Sequence, residues 1–293
     1  MDIGIGLPSS VPGATGTEIL SWAAESERAG FTTIAVLDRL VFDSYECLTV
    51  LAAAAAVTER VRLATAIMIA PLRTSTALLA KQVASLDRLS GGRLTLGLAV
   101  GGRPDDFGAS GARFNRRGDQ LEEQIAEVRE IWAGAPRGIA GAIGPAPMAS
   151  SGPPLILGGH SPRAISRAAR LADGWISGAN GAGGFAAGAD RFRGTWQAAG
   201  RSGRPRLLAL AYFALGDGAQ QKAEEYLTGY YGFAPGYARG VIANAAVGDH
   251  GVTAALAAFR EAGCDEVLFM PCSADLAQVG LLSETIATSA VRP

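Results

Sequence analysis

The residues best placed to do chemistry form one short run, Leu155-Ile156-Leu157-Gly158-Gly159-His160-Ser161-Pro162. A hydrophobic strand enters a glycine pair, and Ser161 at the N-cap with Pro162 at the first helical position opens a helix. Glycines let an anion approach the backbone, where free N–H groups and the helix dipole bind it. A phosphate monoester suits that cup, with the Ser161 hydroxyl as a further donor. The same residues also suit an ordinary βα turn that needs glycine for its angles. His160 either touches the bound phosphate or stands beside the cap facing solvent.

Acid–base chemistry has fewer candidates. Asp38 and Arg39 end the second β-branched run and are the catalytic candidates, with no acid or base assigned. Arg39 stays protonated at neutral pH and cannot serve as a base. It anchors an anion or pairs with its neighbour Asp38, and the pair is the expectation. Arg103, Asp105 and Asp106 stand on a Gly-rich stretch that could form a lid. Tyr226, Tyr230, Phe233 and Tyr237 recur at helical spacing, which reads as a core face, with substrate contact as the alternative. Cys272 has nothing nearby to lower its pKa and reads as inert.

The elements that must position these groups follow a regular alternation. Strand-like runs at residues 3–7, 33–37, 61–70, 93–100, 155–157, 175–177, 207–215 and 267–270 are each followed by a helical pattern. One long helical stretch covers 219–262. A charge-poor segment, 134–153, reads as a loop. Eight strands each followed by helix make the tally of an α/β chain folded as a (β/α)8 TIM barrel, one domain over 1–293. A doubly wound sheet is the rival, but Gly4-Ile5-Gly6-Leu7-Pro8 lacks its third glycine and puts proline where the helix should open. In a barrel, function lies just after each strand, where Asp38-Arg39, the Arg103–Asp106 stretch, the Gly158–Ser161 run and Cys272 fall.

Composition narrows the partners. With 26 Lys+Arg against 27 Asp+Glu the chain has no basic excess for nucleic acid. Its apolar runs are too short to cross a bilayer, and Asp2 without a basic n-region is not a signal peptide. The 3 cysteines form no CxxC pair and the 2 histidines lie far apart, so reduced thiols, a cytoplasmic location and no metal site are expected.

Several stretches resemble the bacterial luciferase-like flavin monooxygenase family, in that family's order. They are residues 58–65, the LDRLSGGR block within 79–93 running into 96–101, Gly158 to Ser161 with the RAARLADGW block at 167–175, and 261–266. The resemblance implies a luciferase-like barrel holding FMN, or the deazaflavin coenzyme F-420, with its ring over the barrel mouth. The phosphate falls at Gly158, Gly159, His160 and Ser161, the ring edge at Ala66, Ile67 and Met68, and Gly101 lies close to the cofactor. The family often carries a histidine after the acid at the second strand end, where this chain has Arg39. The expected activity is an FMN-dependent monooxygenase, using O2 and reduced flavin from a separate reductase on a small organic substrate. An F-420-dependent reductase or dehydrogenase is the alternative. A phosphosugar or aldolase-type barrel enzyme and a non-catalytic flavin-binding protein are the readings from other classes. The resemblance also implies a homodimer packed through the early helices.

Overall fold

The computed structural model describes residues 1–139 and 141–291. Its strands are β1 (Asp2–Gly6), β2 (Thr33–Val36), β3 (Arg62–Thr65), β4 (Met68–Ile69), β5 (Leu94–Ala99), β6 (Leu155–Gly158), β7 (Gly174–Ser177), β8 (Arg206–Ala214), β9 (Ala246–Val247) and β10 (Glu266–Pro271). Between and after them run α1 (Gly16–Arg28), α2 (Cys47–Ala56), α3 (Thr76–Leu89), α4 (Pro104–Ser110), α5 (Arg117–Trp132) and α6 (Pro162–Leu171). The set continues with α7 (Gly181–Ala198), α8 (Ala219–Tyr231), α9 (Pro235–Ala243), α10 (Gly248–Glu261) and α11 (Ala277–Val291). Among the described residues no helix is long and apolar enough to cross a membrane.

All strand pairings are parallel, and β1, β2, β3, β5, β6, β7, β8 and β10 close on themselves through the β10–β8 and β10–β1 pairs. The chain is therefore the (β/α)8 barrel that the alternation predicts. Side chains of a strand point alternately in and out, which sorts the core into two layers. Leu208, Leu210 and Tyr212 of β8 fill the barrel interior with Ile156, Ile176 and Leu268. Leu207, Ala209 and Phe213 face the helices, with Leu96, Leu98 and Trp175.

The closed end of the barrel is tied by charge. Glu266 is only 1% exposed and faces Arg62 at 3.1 Å and Arg206 at 2.5 Å, with Thr33 donating to it as well. Arg62 also bonds Asp2 at 2.6 Å. The segment after α5, which leads into the start of β6, is pinned by the side chains of α3. Lys81 donates to the Gly144 carbonyl at 2.7 Å, Arg88 to that of Ala146 at 2.8 Å, and Asp87 accepts from Met148 N at 2.7 Å.

Three elements differ from the sequence expectation. The third run is not one strand over 61–70: β3 ends at Thr65, β4 pairs separately with β5, and Ala70–Leu72 is a 3-10 turn. The helical stretch 219–262 divides into α8, α9, β9 and α10, because Pro235 restarts a helix at its first turn and Gly248 takes φ +68. The loop after β5 holds a helix, α4, opened by Pro104 and ended by Gly111 in the left-handed region.

Candidate active site

The loops at the C-terminal ends of the strands enclose a cavity of about 220 Å³. Leu37, Asp38 and Arg39 line it after β2, Ala66 and Ile67 after β3, Gly101 to Arg103 after β5, and Gly178 and Ala179 after β7. Its cover is aromatic. Tyr230 and Tyr231 come from the last turn of α8, Phe233 from the link, and Tyr237 from α9. The spacing that read as a core face therefore serves two ends. Tyr226 packs inward, with its hydroxyl 2.8 Å from Ser10 Oγ, while the later rings close the mouth.

Arg39 and Asp38 do not pair with each other. Consecutive side chains of an extended segment point to opposite sides, so each finds a distant partner. Asp38 takes both Nη atoms of Arg73 and accepts from Ile69 N at 2.8 Å. Arg39 donates to the Tyr230 carbonyl at 2.7 Å and the Val41 carbonyl at 3.0 Å. Its guanidinium lies between the rings of Phe42 and Tyr230, 4.5 and 4.8 Å from their centroids. Burial, then the nearby charge of Arg103, pulls its pKa below the usual arginine value, opposed by the charge of Asp106. Asp106, 3% exposed, holds the Leu40 and Val41 amides at 3.2 and 2.6 Å, with Arg39 Nε 3.7 Å and Arg103 Nε 3.6 Å away. Arg103 covers Phe233 at 4.2 Å. The Arg103–Asp106 stretch is thus a clasp joining three loops, and Asp106 is not an exposed charge.

The tyrosines supply the hydroxyls at this end. Tyr231 and Tyr212 are 2.8 Å apart, oxygen to oxygen. Burial pushes both well above the usual phenol range, so each keeps its proton. The three cysteines are buried too, and burial raises Cys264 to about 12 and Cys272 further, which leaves both as thiols.

Beside this cavity lies the glycine run. Ser161 caps α6, its Oγ accepting from Ala164 N at 3.2 Å. The Gly159 carbonyl accepts from the Trp175 indole at 2.9 Å. Because the peptide is planar and trans, this turns the His160 N–H the opposite way. Among the described residues, no backbone carbonyl accepts from the amides of Gly159, His160 or Ser161. Gly159 has φ +120, and a Cβ there would lie 2.7 Å from that of Ala164, so the turn admits only glycine. His160 is half-buried, edge-on to Trp175, and its Nε2 accepts from Asn180 Nδ2 at 2.7 Å. Burial, then the charge of Arg191, lowers its pKa, which favours the neutral acceptor. Asn180 stands at the N-cap of α7. The bond therefore ties two helix N-termini together, and both dipoles favour an anion there. Gly178 joins the two places, lining the mouth cavity while its amide approaches His160 Nε2 at 3.4 Å.

The sequence model of the family described as luciferase-like monooxygenase matches residues 1–263. The chain belongs to this family. Among similar sequences, a putative coenzyme F420-dependent oxidoreductase of Mycobacterium tuberculosis is 34% identical over 172 residues, 52% of this chain and 48% of the relative. The chain thus spans about half the length of the curated relatives it matches. Among solved structures, an F420-dependent secondary alcohol dehydrogenase in complex with an F420-acetone adduct superposes with a TM-score of 0.81 at 20% identity over 100% of both chains. The oxygenating constituent of 3,6-diketocamphane monooxygenase from Pseudomonas putida, in complex with FMN, gives 0.75 at 18% identity over 100% of this chain and 99% of the other. These likenesses bear out the luciferase-like fold.

A luciferase-like barrel implies a flavin or deazaflavin, and the residues fit its phosphate end. Free amides, a glycine that no other residue can replace and two helix N-termini meet at Gly159, His160, Ser161 and Asn180. Ala66, Ile67 and Gly101 line the mouth cavity, and a Cβ on Gly101 (φ +72) would fall 2.6 Å from Ile69 Cγ2. The cavity is smaller than the ~300–1,000 Å³ of typical ligand pockets, because the aromatic cover occupies part of it. Met68 is the correction. It is fully buried in the outer apolar layer, since the break after Thr65 shifts the alternation and brings Ile69 to the cavity instead. Sequence reasoning did not single out Tyr231. Nor does any local signal mark the bond of Asn180 to His160, which spans 20 positions.

Proposed function

We propose that this chain is an oxidoreductase of small organic molecules that takes the deazaflavin coenzyme F-420. The phosphate end would be held by the amides of Gly159, His160 and Ser161, and the ring would lie against Ala66, Ile67 and Gly101. The observation that carries the reading is the tie between two helix N-termini, His160 to Asn180, beside a mouth cavity whose Asp38 and Arg39 are both engaged. Such a site has no free carboxylate or imidazole for general-base work, so the cofactor must carry the hard step. When bound, the deazaflavin supplies or accepts hydride. The chain's own residues bind, orient and exclude water, and the Tyr231 hydroxyl, protonated and backed by Tyr212, is placed to give a proton to a developing alkoxide. The naming of F420 in the Mycobacterium tuberculosis relative supports this cofactor over FMN.

The FMN-dependent monooxygenase is the second reading. It is favoured by Arg39 where relatives often carry histidine, and by apolar walls at Leu37, Ala66, Ile67 and Leu210 that keep water away. It brings a partner, the reductase that supplies reduced FMN. Both readings include a cytoplasmic homodimer, checked by light scattering for twice the 30.0 kDa chain mass. Reconstituting the purified protein separately with F-420 and FMN, followed by absorbance and mass spectrometry of the desalted complex, decides between them. Retention of F-420 alone is expected. Retention of FMN alone moves the assignment to the monooxygenase, and retention of neither removes the proposal.

A further inference from the structure

Helices α6 and α7 leave a groove of about 420 Å³ between them. Pro162 and Ile165 of α6 give it apolar surface, and Ser166 and Thr195 stand among its lining side chains. His160 lines it too, so the groove shares a residue with the anion cup, where the same imidazole meets Asn180. Mouth, cup and groove therefore follow one another. Gly178 lines the mouth, His160 lines the groove, and the Gly178 amide stands 3.4 Å from His160 Nε2.

The arginines of these two helices divide into paired and unpaired. Arg167 and Arg170 of α6 both meet Glu122, at 3.0 and 2.9 Å. Arg193 of α7 meets Asp190 at 3.0 Å, which engages the carboxylate that lines the groove. Arg163, in the first turn of α6, and Arg191, in the groove wall, make no ion pair and no side-chain hydrogen bond among the described residues. One unpaired surface arginine is ordinary. Two of them flanking a groove that continues from a phosphate cup favour a ligand that stays anionic beyond its phosphate.

The two cofactors differ at that point. FMN ends at a phosphate monoester. F-420 continues through a phosphodiester to a lactyl group and a chain of glutamates, whose carboxylates are ionised at neutral pH. We infer that the α6–α7 groove receives the anionic tail of F-420, with Arg163 and Arg191 meeting its carboxylates. The inference rests on the proposed cofactor and names the feature that would select F-420 over FMN.

The test is an equilibrium fluorescence titration of the full chain with intact F-420 and with the same deazaflavin cut back to its phosphate. The shortened form should bind about tenfold more weakly at about 0.05 M salt, and the gap should shrink below about threefold at about 0.5 M. Arg191→Gln should weaken intact F-420 about fivefold and leave the shortened form within twofold. Arg163→Gln should act in the same direction to a smaller degree. Arg60→Gln, which removes the same charge just ahead of β3 at the closed end, should leave both forms within twofold. The comparison of the two forms on the unaltered protein stands even where a variant fails to fold. Equal affinity for the two forms, a gap that salt leaves unchanged, or equal losses in Arg191→Gln and Arg60→Gln would overturn the groove and leave the cofactor assignment in place. Binding of neither form would overturn both.

Discussion

The two ends of the barrel solve opposite problems with similar residues. At the closed end, the buried carboxylate of Glu266 meets two arginines and a threonine, and each of these contacts lies within 3.1 Å. At the mouth, the buried carboxylate of Asp106 also faces two arginines, but their Nε atoms stand at 3.6 and 3.7 Å and both lack a hydrogen-bond partner. One end is saturated with hydrogen bonds, and the other is held by looser contacts and stacked rings. A saturated network fixes geometry, whereas an unsaturated clasp over a cavity can let go. The difference locates stability at the first and function at the second.

Removing Glu266 tests that division most severely. Glu266→Leu should cost about 3 kcal/mol in denaturant unfolding, since Arg62 and Arg206 lose their shared anion. Cofactor affinity should stay within twofold of the parent under folding conditions. Arg39→Met should do the reverse. Its cost to stability is expected to be about 1–2 kcal/mol, while turnover with the reconstituted cofactor falls about tenfold because the aromatic cover loses its clasp. Equal losses in both assays for both variants would erase the contrast.

Two smaller effects sharpen the mouth itself. Ser161→Ala removes the cap of α6 and should lower stability by about 1 kcal/mol, with cofactor affinity about fivefold weaker by equilibrium titration. An unchanged dissociation constant would take Ser161 out of the anion site. His160 gives the pH signature. Its folded pKa lies below the ordinary value of 6.5, so just below that pH the unfolded chain binds a proton that the folded chain refuses. Stability should therefore be full above about pH 6.5 and decline as pH falls below it. His160→Gln, which keeps an acceptor for Asn180, should flatten thermal melts between pH 7 and about 5.5, and a decline of equal depth would assign the effect elsewhere.

The barrel was legible in the sequence because its strands are covered on both faces, so they read as short apolar runs between helical periods. Helix starts were legible where the chemistry is local, as at Ser161-Pro162. The start of α4 at Pro104 carried a comparable signal. Partnerships across the fold were not legible. Arg39 pairs with Asp106 and Asp38 with Arg73 because the barrel brings successive strand ends together, and no spacing along the chain encodes that. The register of Met68 was unreadable for a related reason: alternation predicts a face only while a strand is unbroken, and β3 ends at Thr65.

The segment following α5 carries one more consequence. Its path is held by Lys81, Asp87 and Arg88, and all three grip main-chain atoms: the Gly144 and Ala146 carbonyls and the Met148 amide. Every amino acid presents such a carbonyl, and every one except proline such an amide. The trace of this excursion is thus recorded in α3, leaving its own side chains free to vary from one descendant of this barrel to the next while the route stays the same.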